Sequence, residues 1–179
     1  MASPATVHIT LEEYLATDYK PDREWIEGVL RERNVGRWEH ARVQALLTAW
    51  FGQHEEEWGV VGTIGQRIRV SSNRVRIPDL ALLHKGKQPP IVIEPPVLVV
   101  EILSPDDSYS DTQARVHDYR SMGIKAIWIV DPQTRTGRMS VGSPALGDDV
   151  LVDVWQLAKV LKVPDTAIQV DLDQLFAQI

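Results

Sequence analysis

The stretch Val97-Leu-Val-Val-Glu-Ile-Leu103 sets the fold expected for this chain. It is a continuous apolar run with one charge, which predicts a central strand buried on both faces. A helix is predicted over residues 108–122, ending at Gly123, and a second buried strand over residues 125–130. Two buried strands joined by a helix predict a βαβ-type unit.

The N-terminal part of the chain adds helices and one strand. Residues 10–13 have a capping-box pattern, which predicts a short helix from Leu11 to about Thr17. Residues 23–34 are expected to start as a strand before Gly28. The clearest helix covers residues 38–58, because its apolar residues form one stripe: Val43, Leu46, Leu47, Trp50 and Phe51.

The remaining predicted elements complete a sheet. Residues 60–70 predict a strand, and residues 74–83 its hairpin partner. Two short strands are expected near residues 138–141 and 150–155, and a closing helical turn over residues 171–177. The order predicts a mixed α/β (α+β) fold, a sheet core flanked by helices, in a single domain over residues 1–179.

The composition is that of an ordinary globular chain with an acidic surplus. Among 179 residues 44% are hydrophobic, and 19 basic against 25 acidic residues give a net charge of −6. The absence of cysteine excludes thiol nucleophiles, zinc–thiolate sites and disulfides, and fits a reducing compartment. With no membrane-length apolar run and no signal-peptide pattern, we predict a cytoplasmic protein without membrane contact. The acidic charge argues against a constitutive, non-specific nucleic-acid binder.

Glu101 is the most informative residue of the central strand. A buried carboxylate is unfavourable unless it finds a cationic partner, coordinates a metal or is protonated. Strand alternation places Glu101 on one face with Val97, Val99 and Leu103. A structural ion pair with an arginine remains the alternative to a functional role.

Asp79 is the second acid in an apolar setting. Pro78 keeps Ile77 extended, and Asp79 then leads into residues 80–83, which are apolar. Considered alone, Asp79 is typical of a turn or bulge residue. Paired with Glu101 on an adjacent strand, it can share an oxygen-seeking cation such as Mg²⁺. That cation can activate water and stabilise charge on a scissile phosphate.

Three weaker signals accompany these acids. In the stretch around Glu24 and Glu27, one carboxylate can point inward while the other faces solvent, or both are solvated. His40 can orient a carboxylate or phosphate, or merely occupy a helix N-terminus. Four alternating arginines can form a basic strip for a DNA backbone or a solvated hairpin edge: Arg67, Arg69, Arg74 and Arg76.

Together these residues resemble a known family. The matching pieces, in chain order, are Glu24-Trp-Ile-Glu-Gly28, His40, Pro78-Asp79, Pro96-Val-Leu-Val-Val-Glu-Ile-Leu-Ser-Pro105, Asp111, Tyr119, Gly123 and Trp128-Ile-Val-Asp-Pro132. They are similar to the Uma2 family, restriction-endonuclease-like proteins of the PD-(D/E)xK nuclease superfamily. The resemblance runs from about Leu11 to Pro132, with a weaker echo over residues 171–176.

The resemblance implies a metal-dependent nuclease core with a restriction-endonuclease-like sheet. Asp79 and Glu101 match the paired acids that bind Mg²⁺ or Mn²⁺, and the backbone carbonyl of Ile102 is expected as a further ligand. Glu24 matches an acidic residue from the N-terminal segment. Arg115 stands at the position of the family's catalytic lysine.

Arg115 is a departure from the family pattern. The superfamily often has lysine where this chain has Leu103, and the family carries it on the next helix as Asp-x-x-x-Lys-x-x-x-Tyr. The sequence here is Asp111-Thr-Gln-Ala-Arg115-Val-His-Asp-Tyr119. Lysine can lose a proton and help activate water, whereas arginine stays protonated. We expect Arg115 to face the sheet and contact water or phosphate, and pairing with Asp111 is the structural alternative.

Two functions follow from these expectations. The first is a DNA endonuclease that depends on Mg²⁺ or Mn²⁺, has reduced activity because of Arg115, and acts as a homodimer to cut both strands. The second is an inactive protein with a nuclease fold that binds DNA or a protein partner. If the chain were an interaction domain unrelated to nucleases, an ion pair alone would have to account for the buried Glu101.

Overall fold

Strands dominate the part of the chain that the computed structural model describes, residues 8–33, 36–141 and 154–179. The helices are α1 (Leu11–Leu15), α2 (Trp38–Trp58), α3 (Tyr109–Met122) and α4 (Leu172–Phe176). The strands are β1 (Arg23–Ile26), β2 (Val29–Glu32), β3 (Val60–Ile64), β4 (Ile68–Ser71), β5 (Arg74–Arg76), β6 (Leu80–His84), β7 (Leu98–Ile102), β8 (Ala126–Asp131), β9 (Thr136–Val141), β10 (Val154–Ala158), β11 (Val160–Lys162) and β12 (Gln169–Asp171). No helix in these ranges is long and apolar enough to cross a membrane.

The central sheet has the strand order β10-β9-β8-β7-β6-β3. β7 and β8 run parallel, with Glu101 opposite Ile129, and the other neighbouring pairs are antiparallel. α3 connects β7 to β8, so the predicted βαβ unit is confirmed.

Alternate residues of β7 face two different helical layers. Leu98, Val100 and Ile102 pack in the core cluster that contains the apolar stripe of α2. Val99 packs instead with Tyr119 and the rest of the α3 cluster. Because each fully buried side chain contributes about 1.5–3 kcal/mol, both layers fix the orientation of β7.

The alternation of faces that the sequence predicts for residues 97–103 was wrong at Val97. Val97 packs with the α2 cluster and not on the face of Val99 and Leu103. It precedes β7, which begins only at Leu98 after Pro95-Pro96, so the strand period does not extend to it.

A second, four-stranded antiparallel sheet has the order β2-β1-β5-β4. β1 and β2 form a hairpin through Glu27 and Gly28, whose φ angles are 52° and 86°. Two consecutive positive φ values are typical of a type I′ turn, which matches the twist of antiparallel strands.

The hairpin predicted over residues 60–70 and 74–83 is confirmed in its antiparallel pairing, but it is divided between two sheets. β3 pairs with β6 in the central sheet, while β4 pairs with β5 in the second sheet. The chain changes sheet at Gly65, which has a φ of 60°, and at Pro78, which has no N–H to donate. Asp79 therefore lies where the chain passes from the second sheet into β6.

The C-terminal part matches the expectations less closely. The strand predicted near residues 150–155 lies largely outside the described residues, and β10 begins at Val154. β11 and β12, a separate two-stranded sheet, were not predicted. The predicted closing turn is α4, whose N-cap Asp171 accepts a hydrogen bond from the Gln174 N–H.

Tyr14 anchors α1 to the second sheet. Its side chain is fully buried, and its hydroxyl donates to the carbonyl oxygen of Arg23 at 2.7 Å. The Arg67 guanidinium lies 4.6 Å from the ring centroid. Burial raises the pKa of Tyr14 to about 12, although the Arg67 charge opposes the rise.

We predict that Tyr14→Phe lowers the free energy of unfolding at pH 7 by about 1 kcal/mol, because a buried hydrogen bond is lost. Since the pKa is raised in the folded protein, Tyr14 adds stability that is complete below the ordinary pKa of 10 and is lost as pH rises toward about 12. Urea unfolding from pH 7 to pH 11 measures both effects. The alkaline loss of stability should be smaller in the variant, and an identical loss in both proteins would contradict the assignment.

Candidate functional site

Asp79 and Glu101 lie side by side on the central sheet. Leu80 pairs with Val100 between antiparallel β6 and β7, and this register brings the residue before β6 next to Glu101. Both acids are buried, and the backbone N–H of Ile102 donates to Asp79 Oδ2 at 2.7 Å. The structure thus brings the two strongest candidates of the sequence together.

A single arginine nitrogen lies between the two acids. Arg33 Nη2 donates to Asp79 Oδ1 at 2.9 Å and to Glu101 Oε2 at 3.3 Å. The Arg33 side chain is only 13% exposed. Arg33 follows β2, and its backbone N–H donates to the carbonyl oxygen of Asp22 at 3.0 Å.

Two side chains of α3 also contact Glu101. Arg115 Nη1 lies 3.3 Å from Glu101 Oε2, and the Tyr119 hydroxyl donates to Glu101 Oε1 at 2.5 Å. Arg115 therefore faces the sheet, whereas Asp111 accepts a hydrogen bond from the Ser108 hydroxyl. Arg115 Nε is buried and has no hydrogen-bond partner among the described residues.

α2 contributes polar groups to Asp79 from the opposite layer. His40 Nε2 lies 3.3 Å from Asp79 Oδ1, and Gln44 Nε2 donates to the Asp79 carbonyl oxygen at 2.9 Å. His40 and Gln44 are four residues apart and so lie on one face of α2. His40 thus orients a carboxylate, which was one of its two predicted roles.

The two carboxyl groups have pKa values shifted in opposite directions. Burial opposes the ionisation of Asp79, but the hydrogen bond with His40 and the charge of Arg33 outweigh it and lower the pKa of Asp79. Burial raises the pKa of Glu101, and Arg33 and Arg115 offset only part of that rise. Asp79 is therefore the better anion of the pair and Glu101 the better proton acceptor.

Arg115 remains a cation in this setting. Burial opposes its charge, but the neighbouring Glu101 outweighs burial and raises the pKa of Arg115. A general base must lose a proton near neutral pH, so Arg115 cannot act as one.

Glu24 belongs to a neighbouring ion network. It is buried, with Oε2 2.7 Å from Arg76 Nη1 and Oε1 accepting the Ile77 N–H at 3.1 Å. Glu24 and Arg115 both line a cleft of about 600 Å³, whose lining does not include Asp79 or Glu101. Glu24 points inward and Glu27 is exposed, which is the first of the two arrangements considered for this pair.

The four alternating arginines do not form a basic strip. Arg76 is buried and contacts both Glu24 and Asp118, with Nε and Nη2 each 2.7 Å from Asp118 Oδ2. Arg74 lies between Asp118 and Glu27. The acids of β1 and α3 thus neutralise the two charges on β5. The other two arginines bond to backbone carbonyl oxygens: Arg67 to Tyr14 and Thr17, and Arg69 to Ser71.

The acids have the right chemistry for a divalent metal, but their present arrangement does not fit one. Carboxylate oxygens are the ligands that Mg²⁺ prefers. However, all four oxygens of Asp79 and Glu101 have hydrogen-bond or ion-pair partners, and Arg33 lies where the two carboxylates converge. Across residues 8–33, 36–141 and 154–179, no group of three or more His, Asp or Glu could hold a metal ion.

The fold is that of a nuclease-like protein. A crystal structure described as a putative nuclease belonging to DUF820, from Anabaena variabilis, superposes with a TM-score of 0.77. The two chains are 19% identical, and the match covers 94% of this chain and 98% of the other. At this identity the likeness shows the fold alone. The predicted mixed α/β nuclease fold is confirmed.

The sequence then identifies the family. The Uma2 family, described as "Putative restriction endonuclease", matches residues 11–168, and this chain belongs to it. The resemblance inferred from the motifs is confirmed. Among curated proteins, none matches the chain.

Two residues that contact Glu101, Arg33 and Tyr119, were not predicted from the sequence to do so. Arg33 lies in the stretch Arg31-Glu-Arg33, which is polar and has no periodicity, so it looks like a solvated segment. The one feature of the sequence that could have pointed to Arg33 was the need of a buried Glu101 for a cationic partner. Tyr119 looked like a core residue, and it is one, but its hydroxyl contacts the acid.

We predict that Arg76→Met lowers the free energy of unfolding by about 3–5 kcal/mol, because it leaves buried Glu24 and Asp118 without their shared cation. The matched control is Arg37→Met, which removes an arginine that is 64% exposed and lies 4.0 Å from Asp106. The control should cost less than about 1 kcal/mol. Chemical denaturation measures both, and equal losses would contradict the role assigned to Arg76.

Proposed function

We propose that this chain is a DNA endonuclease that hydrolyses a phosphodiester bond at Asp79 and Glu101 and requires Mg²⁺ or Mn²⁺. Cleavage of both strands would require two such sites, so we propose that the active form is a homodimer. The observation that carries the proposal is the convergence of two buried carboxylates on a single cation in a chain of a nuclease family. One carboxylate comes from the residue before β6 and the other from β7.

The proposal gives the chain's own residues distinct roles. With the Arg33 side chain displaced from between the acids, Asp79, Glu101 and the Ile102 carbonyl would hold the metal. The bound metal would supply charge stabilisation for the scissile phosphate and a more acidic water. Arg115 would bind a phosphate oxygen through its guanidinium, and its place in the lining of the neighbouring cleft supports this role. His40 would position Asp79, and Glu24, held by Arg76, would line the neighbouring cleft that Arg115 also lines.

A second candidate function is binding of DNA or a protein partner without hydrolysis. The observation that favours it is the pair of arginines on Glu101, Arg33 and Arg115, both of which are permanent cations. They neutralise the acids in the absence of a metal and include no group that can accept a proton from water.

Nicking of supercoiled DNA in millimolar Mn²⁺ tests the proposed function. We expect slow nicking by the wild type, none in EDTA, and none by Asp79→Asn or Glu101→Gln. Asp173→Asn is the matched control, because Asp173 is 73% exposed on α4 and its one ion-pair partner among the described residues is a surface lysine, Lys159. Equal nicking by the site variants and the wild type would contradict the proposal.

The same assay distinguishes the two candidates at Arg115. Arg115→Lys supplies a group that can lose a proton, so it should increase nicking by about 10²–10⁴-fold. Arg115→Ala should not increase it. Faster cleavage by the wild type than by Arg115→Lys would show that arginine is competent at this position. No cleavage by any variant, although DNA binds, would favour the second function.

A further inference from the structure

Arg33 occupies the position that the proposed function gives to a divalent cation. We propose that Arg33 is a resident cation of this site, and that a divalent metal binds Asp79 and Glu101 only when the Arg33 side chain withdraws. The inference rests on the proposed function for the location of the site, but it concerns metal binding and not cleavage.

The space between the carboxylates holds one cation at a time. Arg33 Nη2 is 2.9 Å from Asp79 Oδ1 and 3.3 Å from Glu101 Oε2. A metal bound by both carboxylates would use the same two oxygens that Arg33 Nη2 contacts. A divalent metal and the Arg33 guanidinium therefore compete for these oxygens.

Charge balance leads to the same conclusion. Asp79 and Glu101 carry two negative charges, and Arg33 and Arg115 carry two positive charges, with side-chain exposures of 9%, 3%, 13% and 13%. A divalent cation added to this balanced set would leave a surplus of positive charge in a buried site, which is unfavourable. With Arg33 withdrawn, the remaining set is negative and attracts a metal.

The proposed withdrawal requires movement of the Arg33 side chain and not of its backbone. Within the described residues, β2 pairs only with β1, so Arg33 follows an edge strand of the second sheet. Its backbone N–H is bonded to the Asp22 carbonyl oxygen, which holds the backbone in place.

Titration of the EDTA-treated protein with Mn²⁺, followed by electron paramagnetic resonance of the free ion, tests the proposal without DNA. Arg33→Met should bind Mn²⁺ with an affinity at least about tenfold higher than that of the wild type. Arg37→Met removes the same charge nearby from an exposed position and should stay within about twofold of the wild type. Adding Asp79→Asn to Arg33→Met should abolish the gain. Equal affinity of wild type and Arg33→Met, or no binding by either, would overturn the proposal.

Loss of Arg33 also exposes the two acids to mutual repulsion, so folding is a second readout. If Arg33→Met is unfolded in EDTA, millimolar Mn²⁺ should restore its circular dichroism spectrum, and a chain that stays unfolded counts against the proposal. Arg33→Lys retains the charge and should bind Mn²⁺ more weakly than Arg33→Met. Tight Mn²⁺ binding by Arg33→Met without any DNA nicking would support this inference and contradict the proposed function. Mn²⁺-dependent nicking by the wild type, together with no gain in Mn²⁺ affinity in Arg33→Met, would support the proposed function and contradict this inference.

Discussion

The contact on which the site depends is that of Arg33 Nη2 with Asp79 and Glu101. Two carboxylates buried side by side repel each other and lose hydration, so one of them must be neutralised or both must share a cation. Arg33 supplies that cation from the end of β2, and Arg115 adds a second on the side of α3. The two arginines offset the repulsion between the two acids at the edge of β6 and on β7.

The second sheet brings Arg33 and the rest of the network to this point. β5 carries Arg76, which binds Glu24 of β1 and Asp118 of α3, so one buried arginine links that sheet to the helix. At Pro78 the chain then leaves β5 and enters β6 with Asp79 at the junction. The break in the hairpin, which the strand pattern alone does not reveal, is what places an acid beside Glu101.

Much of the central sheet and both principal acids could be predicted from the sequence, because they rest on local signals. Glu101 stands out against an apolar strand, and Asp79 follows a proline. The partners could not be predicted in the same way. Arg33 lies 46 residues from Asp79 and 68 from Glu101, and a solvated and a buried arginine look alike in an aperiodic segment. The predicted basic strip was wrong because the partners of its arginines also lie far away in the sequence: acids on other elements neutralise Arg74 and Arg76.

The central claim is that the charge of Arg33 is stabilising because two buried acids share it. The most direct test is the cost of Arg33→Met in two backgrounds, measured by urea unfolding in EDTA. In the otherwise unchanged chain, the substitution should lower the free energy of unfolding by about 3–5 kcal/mol, since it leaves buried charges unpaired. In the Asp79→Asn, Glu101→Gln background, the same substitution should cost less than about 1 kcal/mol, because neither acid is left for Arg33 to neutralise. The same loss in both backgrounds would contradict the claim.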